Sequence, residues 1–214
     1  MGSIPWLEIG LTWLSFALLL IYHVHLVYQV KRAPLTTAIG LNMQTRRAWV
    51  ETIMADRLDI LAVQTLRNSS MAASFLATTA ILICLGTLNA AFFSSTVGGL
   101  RVISEISQEN SGLLLIKLLF LIITFFSAFF NFTLAIRSYN HTSFMINIPL
   151  ARDPLMTPEF VARVLGRGMN HYSLGMRGYY LSVPLVLWLF GPYWLATGTV
   201  ALLYVMYKID YNLD

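Results

Sequence analysis

GLLLIKLLFLIITFFSAFFNFTLAI, residues 112–136, carries a single charge, Lys117, in a run of apolar and small polar side chains. A helix rises about 1.5 Å per residue and a bilayer core is about 30 Å thick, so roughly 20 such residues cross it. Working outward, residues 5–30, 69–94 and 179–207 meet the same requirement. The expected fold is all-α. It is a four-helix transmembrane bundle in one integral membrane domain spanning residues 1–214, with cytoplasmic segments 31–68 and 137–178.

Composition agrees. The chain is 57% hydrophobic and 11% charged, against about 25% charged in ordinary soluble domains. Four spans and their connectors use up the length, so no separate soluble domain is expected. The single cysteine, Cys84, falls inside the second span and reads as a packing residue. The N-terminus has no basic residue before its apolar run, which is too long for a signal-peptide core, so the first span is expected to stay as an anchor.

Charge placement sets the orientation. Lys31, Arg32, Arg46, Arg47, Arg57 and Arg67 lie between spans one and two. Arg137, Arg152, Arg163, Arg167 and Arg177 lie between spans three and four. Arg101, Lys117 and Lys208 fall on the other side. The positive-inside rule then puts both basic segments in the cytoplasm and both termini outside, in the bacterial plasma (inner) membrane. No aromatic–basic stripe accompanies the charge, so nucleic acid is not an expected partner.

Both cytoplasmic segments carry helical patterns. Over residues 42–66, Trp49, Ile53, Leu58, Leu61 and Leu66 recur near helical spacing among charged residues, and no Gly or Pro separates them from the second span. One continuous amphipathic helix is predicted, with Asp56 and Asp59 on a shared, solvated face. In the other segment, Thr157-Pro158-Glu159 gives an N-cap hydroxyl, a proline at the first helical position and an acid at the positive helix end. Outside, residues 94–112 read as a polar loop containing Gly98-Gly99, Arg101, Glu105 and Glu109.

Polar groups inside spans are the first place to seek function. Glu8 and Lys117 stand near the outer span ends, where an interfacial, snorkelling position is the favoured reading over a mutual pair. Asn89 and Asn131 suit interhelical hydrogen bonds. The candidate cofactor-binding residues are His23, His25, His141 and His171, all at the cytoplasmic side, where imidazole suits haem iron. His23 and His25 are two apart and point to nearly opposite sides of a helix, so one at most faces a given partner. Interfacial histidines bonded to backbone are the plainer reading, and the identity of any cofactor stays open. No haem-attachment, zinc-protease, P-loop or nucleophile-elbow motif is present, so no catalytic or metal-ligating residue is assigned.

Ser69, Ala73, Ala77 and Ala80 form a small-residue stripe that lets helices approach closely, within one chain or between chains. Pro184, Gly191 and Pro192 predict a kink or break in the fourth span.

Four phrases carry a resemblance. They are Gln64-Thr65-Leu66-Arg67-Asn68-Ser69, Ile136-Arg137-Ser138-Tyr139, Arg177-Gly178-Tyr179-Tyr180 and Trp188-Leu189-Phe190-Gly191-Pro192. In this order they resemble a family of bacterial and plant multi-pass membrane proteins catalogued as a domain of unknown function. The resemblance implies a four-span membrane protein and carries over no activity. Its arginines, Arg67, Arg137 and Arg177, mark cytoplasmic boundaries, where a guanidinium fork suits lipid phosphate or Glu51, Asp56 or Asp59 of the cytoplasmic helices, with ordinary boundary arginines as the equal alternative.

The leading expectation is a non-enzymatic membrane protein that self-associates as a homo-oligomer or serves as an accessory subunit of a larger complex. A haem- or metal-binding redox subunit and a small channel or transporter built on the broken fourth span are the alternatives.

Overall fold

The computed structural model describes residues 5–92, 111–149 and 152–211. Among these there are six α-helices and no strand: α1 (Pro5–Arg32), α2 (Ala38–Asp56), α3 (Asp59–Phe92), α4 (Ser111–Met145), α5 (Pro158–Trp188) and α6 (Pro192–Tyr211), with a 3₁₀ turn, Pro34–Thr36, before α2. The expected outer loop, including Arg101, lies outside the described residues. Three helices, α1, α3 and α4, are each long and apolar enough to cross a membrane.

Helix starts follow local chemistry. The Thr157 hydroxyl accepts from the Phe160 N–H at 3.2 Å, with Pro158 in the first turn, as the sequence predicts. Thr37 caps α2 in the same way by accepting from the Gly40 N–H at 3.3 Å. The predicted continuous helix over 42–66 is not formed. It breaks at Arg57, whose φ of 55° is left-handed. The N–H groups of Arg57 and Leu58 both turn back to the Ile53 carbonyl, closing α2 with a Schellman-type cap. Glycine or asparagine usually fills such a position, so an arginine gave no stop signal. Asp56 and Asp59 therefore fall on separate helices.

The bundle packs through small residues. Ala73, Ala77 and Ala80 of α3 are buried, and Ser69 at the start of the stripe is half-buried. The Cys84 thiol lies 3.7 Å from the Ile122 carbonyl of α4, and the Tyr179 hydroxyl of α5 donates to the Leu76 carbonyl at 2.8 Å. This stripe is used within the chain. On α5, a Cβ at Gly175 would come within 2.7 Å of the Phe132 ring, so a backbone without a side chain is what lets α4 and α5 meet there. Buried residues run continuously from Val50 and Ile53 in α2, through α3, α4 and α5, to Leu195 in α6. The cap made by α2 thus shares its core with the bundle.

The fourth apolar stretch, 179–207, is not one span. α5 ends at Trp188, Gly191 takes φ 125°, its N–H bonds the Trp188 carbonyl, and Pro192 opens α6. The predicted break is a hairpin turn. A Cβ at Gly198 of α6 would lie 2.6 Å from Leu187 of α5. Arg177 and Asp210, 33 residues apart, meet at 2.6 Å, whereas a continuing helix would hold them about 50 Å apart. Pro192 and Trp188 share a groove with Glu8, Thr12 and Phe16 of α1, while Tyr22 further along α1 reaches Asp210. α6 is therefore parallel to α1, and the helix ends at Pro5 and Tyr211 sit at opposite ends of the bundle, not at the same end.

Lys117 also departs from expectation. It is fully buried rather than interfacial. Its Nζ donates to the Trp188 carbonyl at 2.8 Å and lies 5.3 Å from the Trp188 ring centroid. α5 stops inside the bundle, and the spare carbonyl lone pairs and partial negative charge of a helix C-terminus attract an ammonium.

Candidate functional site

At the other end of the α5–α6 hairpin three helices meet on one carboxylate. Asp210 is buried. Its Oδ1 accepts from Arg177 Nη2 at 2.6 Å and its Oδ2 accepts from the Tyr22 hydroxyl at 2.7 Å. The side chains of Arg177 and Asp210 are 14% and 4% exposed, so this is an ion pair away from water. Desolvating two charges is compensated only by good geometry and further hydrogen bonds, and Tyr22 supplies one. Arg177 Nη1 is buried without a hydrogen-bond partner.

A cavity of 270 Å³ opens beside this pair. Ala38, Ile39 and Asn42 of α2 roof it, Tyr172, Ser173, Met176, Arg177 and Tyr180 of α5 form one wall, and Met206, Ile209 and Asp210 of α6 close it. The lining offers an amide, hydroxyls and a guanidinium edge over an apolar floor, the mixture that orients small ligands. α5 places Ser173, Arg177 and Tyr180 three or four residues apart, on one helical face.

The sequence pointed to Arg177 but not to its partners. Asp210 carries no sequence signal that marks it as a partner. Tyr22 reads as one more aromatic in a span. Arg67 and Arg137 do not join the pair. Both are exposed, and Arg67 lines a separate hollow with Asp59, Gln64 and Asn147.

The candidate histidines are placed individually. His23 Nδ1 donates to the Leu19 carbonyl of its own helix at 2.8 Å, leaving Nε2 buried without a partner. His25 and His141 are exposed. His171 Nδ1 lies 3.0 Å from Asn131 Oδ1. Asn131 Nδ2 donates to the Ser127 carbonyl, so its oxygen is the acceptor and His171 the donor. This realises the interhelical role expected of Asn131. Among the described residues, no group of three or more His, Cys, Asp or Glu side chains is placed to hold a metal ion. Pro184 lies within α5, and Gly191 and Pro192 form the hairpin turn.

No curated protein and no solved structure matches this chain. A family described as "protein of unknown function, DUF599" matches residues 11–214, nearly the whole length. The four phrases that carried the resemblance all lie within that match. The chain belongs to the DUF599 family of proteins of unknown function.

Proposed function

We propose that this is a multi-pass protein of the bacterial plasma membrane, acting as a non-enzymatic binding component at its cytoplasmic end. Its ligand is a small polar molecule with an acceptor oxygen, held in the cavity between α2, α5 and α6. The observation that carries this reading is Arg177: one guanidinium nitrogen is engaged by Asp210 and another is buried and unpartnered beside a cavity. An unmet buried donor is costly to leave bare, and a ligand oxygen would satisfy it. Because Asp210 balances the arginine charge, a neutral or singly anionic ligand suits the site.

The hairpin supports the orientation. Folding α6 back brings Lys208 to the end that carries the basic connectors, leaving Arg101 and Lys117 as the exceptions in the sequence. The positive-inside rule then assigns that end to the cytoplasm, with the Pro5 end outside. α5 has 31 residues, about 46 Å of helix, so its first turns extend past the hydrocarbon and join α2 in a cytoplasmic cap.

Native mass spectrometry of the full chain, released gently from its membrane, tests the binding reading. The expected result is a stoichiometric small-molecule adduct that Ser173→Leu and Asn42→Leu, which fill the cavity, displace. A wild-type protein without an adduct, whose unfolding temperature the two variants leave unchanged, would overturn it.

A second reading is association with another copy or a membrane subunit through α1. That helix is held chiefly by α6 and exposes Trp6, Trp13, Leu20, Ile21 and Val24. Site-directed crosslinking from Trp13→Cys in native membranes tests it, and exclusively monomeric species would count against it.

A further inference from the structure

A second cleft, independent of the Arg177 cavity, lies between α2 and the first turns of α5. It encloses 470 Å³ and is lined by Met43, Arg46 and Arg47 from α2 and by Glu159, Arg163, Gly166, Arg167 and Asn170 from α5, among others. Four guanidinium groups thus face a space holding one carboxylate.

The local ion pairs do not neutralise it. Both ion pairs at the cleft belong to Arg47, which bonds Glu51 at 2.9 Å and approaches Glu159 at 3.8 Å across the cleft. Among the described residues, Arg46, Arg163 and Arg167 have no carboxylate within 4.0 Å. Arg163 lies over the Phe160 ring instead, 5.7 Å from its centroid. Arg163 and Arg167 are one turn apart on the same helix face, where like charges repel. Burial pulls the Arg46 guanidinium below its ordinary pKa, with nearby Tyr139 as the smaller, opposing influence. Between the two α5 arginines stands Gly166, where an added Cβ would meet nothing within 4 Å, so the wall is open to an incoming group.

We propose that this cleft binds a phosphate group, with Arg46, Arg163 and Arg167 as the ligating side chains and Arg47 held in reserve by Glu51 and Glu159. Guanidinium forks match the tetrahedral oxygens of phosphate in charge and geometry. The group comes either from an anionic lipid headgroup, since the cleft belongs to the cap beside the membrane, or from a soluble phosphate compound.

The test uses the full chain in two nanodisc preparations. In phosphatidylcholine discs, inorganic pyrophosphate is titrated calorimetrically. In discs containing one-tenth phosphatidylglycerol, lipid retained after gentle release is counted by native mass spectrometry. Saturable pyrophosphate binding identifies a soluble source, and selective retention of phosphatidylglycerol identifies the headgroup. In either arm Arg163→Gln/Arg167→Gln is expected to weaken binding at least tenfold. Glu159→Gln, which removes the opposing carboxylate, is expected to strengthen it severalfold. Both arginines are exposed, so the double variant should fold, and its helical circular dichroism checks this. No binding by wild type in either arm overturns the proposal, as does equal binding by the folded double variant.

Discussion

Arg177 and Asp210 are joined at 2.6 Å across the α5–α6 hairpin, and this pair fixes the direction of the last described helix. Removing one member leaves a buried charge without its counterion, which costs about 3–5 kcal/mol, whereas replacing both with apolar residues is often close to neutral. Asp210→Asn is therefore expected to lower unfolding stability in detergent by about that amount. The double variant Arg177→Met/Asp210→Leu should recover most of the loss. Equal stability of Asp210→Asn and wild type would show that the pair is not closed in solution.

The hairpin makes a prediction about sidedness. Cys84 is buried, so single cysteines can be introduced against a low background. Trp6→Cys and Lys208→Cys mark opposite bundle ends, and both positions are exposed. An impermeant maleimide applied to intact cells should label the first, and reach the second after permeabilisation. Labelling of both from outside would restore a single fourth span.

Gly175 gives a packing test. A methyl group there would overlap the Phe132 ring, which is itself fully buried and has little room to yield. Overpacking of this kind typically costs about 1–3 kcal/mol. Gly175→Ala should lower the detergent unfolding midpoint, while Gly86→Ala, inside a helix with open space around it, should leave it unchanged or raise it slightly.

Lys117 offers a contrast with ordinary boundary lysines. Its ammonium donates to the last carbonyl of α5, and hydrogen bonds to charged groups contribute about 1.5–3 kcal/mol. Lys117→Met keeps the stem and removes the charge. It is expected to destabilise the protein by an amount in that range, read as a lower midpoint in thermal unfolding monitored by tryptophan emission, since Trp188 lies against the ammonium. An unshifted midpoint would mean that Lys117 reaches the interface after all.

Much of the architecture was legible because it rests on local signals. Hydropathy marked α1, α3 and α4, and Thr157-Pro158-Glu159 marked the start of α5. The rest depended on distant partners. Gly191-Pro192 fits a kink and a hairpin equally well, and distant contacts such as that of Arg177 with Asp210 separate them. Arg57 stops α2 without the glycine that usually announces a left-handed cap. Lys117 near a span end has the composition of a snorkelling lysine, and its burial follows from where α5 stops. At the candidate site, Arg177 was visible as an arginine at a span boundary. Tyr22 was not, because its partner lies 188 residues away.

That separation bears on biosynthesis. α1 emerges from the ribosome before every other described helix, yet its main neighbour, α6, emerges after them. Until α6 has turned back at Gly191, α1 has no carboxylate for Tyr22 and little protein surface to settle on. In the proposed membrane placement α1 therefore waits in the bilayer, surrounded by lipid or by an insertion factor, until α6 docks it.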